Sequence, residues 1–387
     1  MHIRRKLFNL NIALLAAGST ARRHVTFPWR NVASPIDIVL CVVDHYEPQV
    51  GRPPRNVARE RVCDWLERYP RIAARHRDWD GCLPTHSFFY PWDEYDAWEM
   101  SRLAELCASG FGEIELHLHH QDDTESSLRA KLREAIALYR SHGAISCWPG
   151  SLPAFGFIHG NWALDNSRHE NGRNFCGVNN EITVLLEEGC YADFTFPAWK
   201  HVSQPRQLNC LHYAFDDPLR SKSYDTGLRA TAGRPVTDHD ALLLVQGPLV
   251  PAIDRSGRYP RFAMDDPDLS ASRRFTPSRL DRWVRAGIHV RGRADRIFIK
   301  LHCHGAQDRN REALLGTDLA ALFTDIETRY NDGKAYRLHY ATARETFNII
   351  KATEAGFGGD IDESRDWLLP PPAASRKHAA ILTDHFG

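Results

Sequence analysis

The sequence lacks an excess of either charge, since 49 Lys plus Arg balance 49 Asp plus Glu. That balance removes the basic surplus with which proteins neutralise nucleic-acid phosphates or anionic membranes, so no nucleic-acid partner is expected. No run reaches the roughly 20 apolar residues of a transmembrane segment. The nine cysteines, at 41, 63, 82, 107, 147, 176, 190, 210 and 303, are odd in number and form no C-x-x-C pair. That spacing argues against a disulfide framework or a zinc ribbon and fits a reducing, cytoplasmic setting. Repeats and low-complexity tracts are missing too. The N-terminal stretch "MHIRRKLFNLNIALLAAGSTARRH" imitates a signal peptide, but Asn9 and Asn11 interrupt its apolar run, and residues 1–32 read as an N-terminal extension.

What is present is a chain of 387 residues, 43% hydrophobic, long enough to bury a large core. Seven short apolar or alternating runs punctuate it: Ile36 to Val43, Leu83 to Pro91, Glu113 to His119, Ala154 to Asn161, Ala192 to Trp199, Ala241 to Pro248 and Arg296 to Gly305. Helical stretches separate most of them, among them 57–75 and "SSLRAKLREAIALYRSHG". Strands alternating with helices predict an α/β fold with parallel strands, closed as a distorted (β/α)7 barrel rather than an open sheet. The barrel is expected over 33–360, with an irregular insertion at about 204–285 and a C-terminal tail over 361–387. Polar residues gather at the carboxyl ends of the runs, where α/β barrels carry their chemistry.

The stretch "EIELHLHHQDD", Glu113 to Asp123, is the densest of these ends. Strand alternation puts Glu115, His117 and His119 on one face and Ile114, Leu116 and Leu118 on the other. Two imidazoles on one strand face suit Zn²⁺ or a similar ion, although a lone H-x-H is more often structural. Here the pattern recurs, because His302 and His304 share a face of the last run. Asp44 and His45 close the first run, His86 lies in the second, and His159 with Asn161 closes the fourth. A divalent ion flanked by a carboxylate and a histidine can hydrolyse an amide or ester.

In this order the residues resemble the polysaccharide deacetylase superfamily, the NodB homology or carbohydrate esterase family 4 group, over about residues 33 to 310. "CVVDHYEP" occupies the first motif, with Asp44 at the base position and His45 at the ligand position. "EIELHLHHQ" matches the second with His117, but Gln121 stands where the second histidine belongs. "FIHGNWALDNS" takes the place of the third with His159, and "LLEEGCYADFTFPAW" resembles the fourth, offering Asp193 and Trp199. "IKLHCHG" supplies His302 as the general acid.

The resemblance implies a hydrolase that removes an acetyl or other acyl group from an N- or O-acylated sugar, with a divalent metal, most readily Zn²⁺, as cofactor and a carbohydrate as partner. His119 faces the same way as His117 and is expected to replace the missing histidine. The metal set is then Asp44, His45, His117 and His119, and the catalytic pair is Asp44 and His302. Asp44 and His45 cannot both point inward from a regular strand, so Asp44 is either base or ligand. His120, Asp123, His159, Asn161, Trp199 and His304 are substrate-binding or ligand-supporting candidates. Trp162, Trp199 and Tyr46 could stack on a sugar or belong to the core. A metal-dependent hydrolase of a non-sugar amide, or an inactive glycan-binding barrel, would carry many of the same residues.

Overall fold

A computed structural model describes residues 2–26, 35–237, 239–254 and 258–375. Its spine is a mostly parallel sheet of the strands β1 (Ile36–His45), β2 (His86–Pro91), β3 (Gly112–Leu118), β4 (Pro153–His159), β5 (Cys190–Asp193), β6 (Leu211–Ala214), β7 (Leu242–Val245), β8 (Arg296–Cys303) and β9 (Tyr336–Tyr340). Neighbours run β6-β7-β5-β4-β3-β2-β1-β8, with β9 also pairing β1 and only β6 antiparallel among these. The strands are buried on both faces, as helix-covered parallel strands are, and β1 and β3 are buried at every position.

Between the strands, the helices bury regular stripes. Along the helix Arg55–Ala73, Ala58, Val62, Trp65, Tyr69 and Ala73 face the sheet. Thr124 and Ser127 form a capping box that starts the helix Glu125–Ser141, whose Leu128, Leu132 and Ile136 pack inward.

Six of the seven expected runs contain a strand close to the expected place. The fifth is short, because beyond Asp193 the chain leaves the ladder. The chain is mixed α/β with a mostly parallel sheet, and among the described residues the backbone ladders follow an open path, with no β7–β8 pairing to close the expected barrel. Side chains nevertheless reach across it, since the Lys300 ammonium on β8 donates to the carbonyls of Phe194 and Phe196 beyond β5, at 2.7 and 2.5 Å.

Segment 204–285 contributes β6 and β7 to the sheet and adds a hairpin of Val250–Asp254 with Arg261–Asp265. Beyond residue 360, Ile361 and Leu369 are buried against the core. The N-terminal stretch is a helix over His2–Thr26 whose Ile12, Ala13 and Ala16 pack on Leu208, Leu249 and Met264. No helix among the described residues is long and apolar enough to cross a membrane.

Candidate metal centre

The carboxyl ends of β1 and β3 lie one strand apart, with β2 between them. Past His45 the chain stays extended, and Tyr46 N–H donates to the Phe89 carbonyl at 3.0 Å. His45 and Glu47 therefore project to one side, while Asp44 and Tyr46 project to the other. The same alternation at the end of β3 brings His117 and His119 to that side. His45, Glu47 and His117 each offer a ligand atom within 4.8 Å of the others. His117 Nε2 and His119 Nε2 converge on the same oxygen, Glu47 Oε1, at 3.2 and 3.1 Å. The His45 ring lies edge-on to His117, 4.9 Å between centroids, and stacks on His304 at 4.6 Å.

Each histidine of the β3 end is gripped from behind. His117 Nδ1 faces the Ile158 carbonyl at 3.0 Å, and His119 Nδ1 faces Asp93 Oδ2 at 3.1 Å. Such outer partners fix the tautomer and leave Nε2 free to bind a cation. The consequence is sharpest at His117. A carbonyl only accepts, so the ring hydrogen of a neutral His117 sits on Nδ1, and a lone pair at Nε2 then meets a carboxylate oxygen.

Burial pushes His117 below the usual imidazole range, which favours that neutral form. Two lone pairs 3.2 Å apart repel unless a proton or a metal cation lies between them. Burial works against Glu47 as well, but its bonds to His117 and His119 outweigh that and hold its carboxyl well below the usual range. At His119 burial is likewise outweighed, by Asp93 and Glu47, which raise it to about 10. With its own proton His119 supplies the positive charge that balances these carboxylates; a divalent ion at the same place would supply it instead. The imidazoles of His45 and His117 with the Glu47 carboxylate are a donor set that fits such an ion, and His119 adjoins them through Glu47.

The cluster borders a cleft of about 330 Å³ lined by Trp162, Trp199, Asp266, Asp268, His302 and His304, among others. The Trp162 ring lies 6.2 Å from His45 and 6.4 Å from His304, at the junction of cluster and cleft. The His302 ring centroid is 6.5 Å from that of His45, and its buried Nδ1 has no hydrogen-bond partner. Burial, followed by the Lys300 charge, holds His302 well below the usual imidazole range.

The structure does not bring Asp44 to this cluster. Strand parity turns it to the helix side, where Oδ1 accepts from Gly305 N–H at 2.6 Å and Oδ2 meets His86 Nε2 at 3.0 Å. His86 is a core histidine whose Nε2 makes that contact while its buried Nδ1 has no hydrogen-bond partner, and Tyr46 packs on Trp65 and Phe88. His120 points away from His119 into a separate buried group with His159 and Asp123. Asn161 caps that group, its side chain donating to the His120 carbonyl at 3.0 Å.

Two residues of the centre escaped sequence reading. Glu47 had a local signal, the H-x-E of "DHYEP" with the same alternation as His45; Asp93 lies after β2 and had none. Compared with known proteins, the chain matches no protein-family model and no curated protein.

Proposed function

We propose that this protein is a metal-dependent hydrolase that removes an acyl group, acetyl foremost, from an N- or O-acylated carbohydrate, working at the carboxyl ends of a barrel-like parallel sheet. The observation that carries this reading is the convergence of His117 and His119 on Glu47 beside His45, at the mouth of a cleft lined by two tryptophans. His45, Glu47, His117 and His119 hold the ion, for which zinc fits the imidazole-rich set. A bound divalent ion supplies Lewis acidity, polarising the acyl carbonyl and acidifying water.

His302 handles the proton. Held neutral by burial, it first accepts a proton from the attacking water and then returns it to the leaving nitrogen or oxygen. Trp162 and Trp199 offer faces on which a sugar ring stacks, and Asp266 and Asp268 accept its hydroxyl hydrogens. Asp44 acts at one remove, fixing the backbone at Gly305 next to His304.

Elemental analysis of the purified chain, together with acetate release from N-acetylated oligosaccharides, tests the assignment. His117→Ala and Glu47→Ala should lose this metal equivalent. His302→Gln should keep it and lower kcat by about 10²- to 10⁴-fold, the usual range for a positioned acid or base. Full metal occupancy in His117→Ala would sink the ligand assignment, and metal without acyl release from any sugar would favour a non-sugar amide.

A further inference from the structure

Behind the first centre, His120, His159, Cys176 and Glu181 bring one ligand atom each within 4.8 Å of one another, all of them buried. We propose that these four side chains form a second, closed metal site of the structural zinc type. They come from four separate places: the end of β3, the end of β4, the loop of residues 160–180, and the start of the helix Glu181–Glu187. His120 Nε2 lies 2.9 Å from Glu181 Oε1, with its Nδ1 held by Asp123 at 3.0 Å. The Cys176 sulfur is 3.3 Å from Glu181 Oε2. The His159 ring packs 4.4 Å from that of His120, and its Nε2, fully buried, has no hydrogen-bond partner while lying 3.8 Å from Glu181 Oε1.

That bare nitrogen is what a hydrogen-bonded cluster leaves unexplained. A buried ring nitrogen without a partner is costly, and an ion among the four atoms would satisfy it. The charges also close. Zn²⁺ displacing the thiol proton of Cys176 meets one thiolate, one carboxylate and two neutral imidazoles, so the site has no net charge. The proton of Cys176 and any second proton on His120 or His159 leave to solvent, each ring keeping the one on Nδ1. Existing contacts must loosen: Cys176 gives up the hydrogen it directs at Glu181 and at the Val178 carbonyl, and the Asn161 N–H, 3.2 Å from His159 Nδ1, faces a ring that would carry its hydrogen there once bound through Nε2. Unlike the first centre, this set contains sulfur. An ion here would tie the 160–180 loop, and Trp162 with it, to the ends of β3 and β4.

The sulfur makes the two centres separable. The full-length protein, stripped of metal and loaded with Co²⁺, should show a near-ultraviolet thiolate-to-cobalt charge-transfer band and hold two equivalents of metal. Cys176→Ser should lose the band and one equivalent, whereas His45→Ala should keep the band and lose the other equivalent. A cobalt-loaded wild-type protein without the band, or a band that survives in Cys176→Ser, overturns the second site without needing any destabilised variant. A band together with unchanged metal content in His45→Ala supports the second site and overturns the first centre instead.

Discussion

Gly160 shows how tightly single residues set the first centre. A Cβ there would lie 2.3 Å from His119 Cδ2 and 2.6 Å from Cγ, so the ring and β4 approach as closely as a bare backbone allows. Gly160→Ala should displace the imidazole and weaken metal binding by about 10- to 100-fold, the cost typical of disturbed ligand support. Titration with a competing chelator would measure it, with circular dichroism confirming an intact fold. At this scale much of the centre was legible: parity alone paired His117 with His119 and separated His120 from both. The same rule, applied at "DHYEP", sets Asp44 against His45, so only one of them reaches the centre. Asp93 was not legible, because only folding brings it within 3.1 Å of His119.

Along β3 the inward face reads Glu113, Glu115, His117, His119, a polar column through the middle of the molecule. Glu113 sits at its base, where Arg344 of the helix Ala343–Glu354 donates to it at 2.8 Å, with both side chains buried. Glu113→Ala would leave Nε and Nη2 of Arg344 without acceptors, with only Nη1 still held by Asp366 and the carbonyls of Arg365 and Leu369, and should cost up to about 3–5 kcal/mol in urea unfolding, whereas Glu113→Gln, keeping an acceptor, should cost less. β9 carries a second such knot: His339 meets Asp80 at 2.7 Å and Asp37 at 3.1 Å.

Burial opposes the charge on His339, but the two carboxylates outweigh it and raise the imidazole above 6.5. Burial is overcome at Asp37 too, where His339 and Arg337 lower the carboxyl below 3.8. The histidine's contribution is complete below pH 6.5 and fades as pH climbs through its folded value. The aspartate's is present above 3.8 and fades as pH falls. Thermal melts should therefore show a stability decline on the alkaline side that His339→Gln flattens; an unchanged alkaline limb would refute the knot's role. Strand and helix positions were legible because periodicity is local. The antiparallel pieces within 204–285 were not, since short strands separated by Pro and Asp leave little pattern.

For the molecule as a whole, metal and fold should be linked by mass action. At free zinc 100-fold above Kd each site adds about 2.7 kcal/mol, so stripping metal should lower Tm by several degrees and make it depend on zinc concentration. A Tm indifferent to chelation would mean that neither cluster binds an ion in the folded protein. The alternation of strands with helices was legible, but the strand order β6-β7-β5 and the pairing of β9 with β1 were not, since alternation alone does not fix neighbours. The placement of the N-terminal helix against Leu208, Leu249 and Met264 was not, because nothing in its own pattern names a partner so distant in sequence.

His119 and His120 are chain neighbours, their Cα atoms about 3.8 Å apart, yet they turn to opposite clusters. A surface loop absorbs a gained or lost residue by bulging. Here the loss of either histidine shifts the alternation by one position, so one cluster is left short of a donor. Lineages carrying both clusters should therefore vary "LHLHHQ" by replacement alone, and their length changes should fall elsewhere.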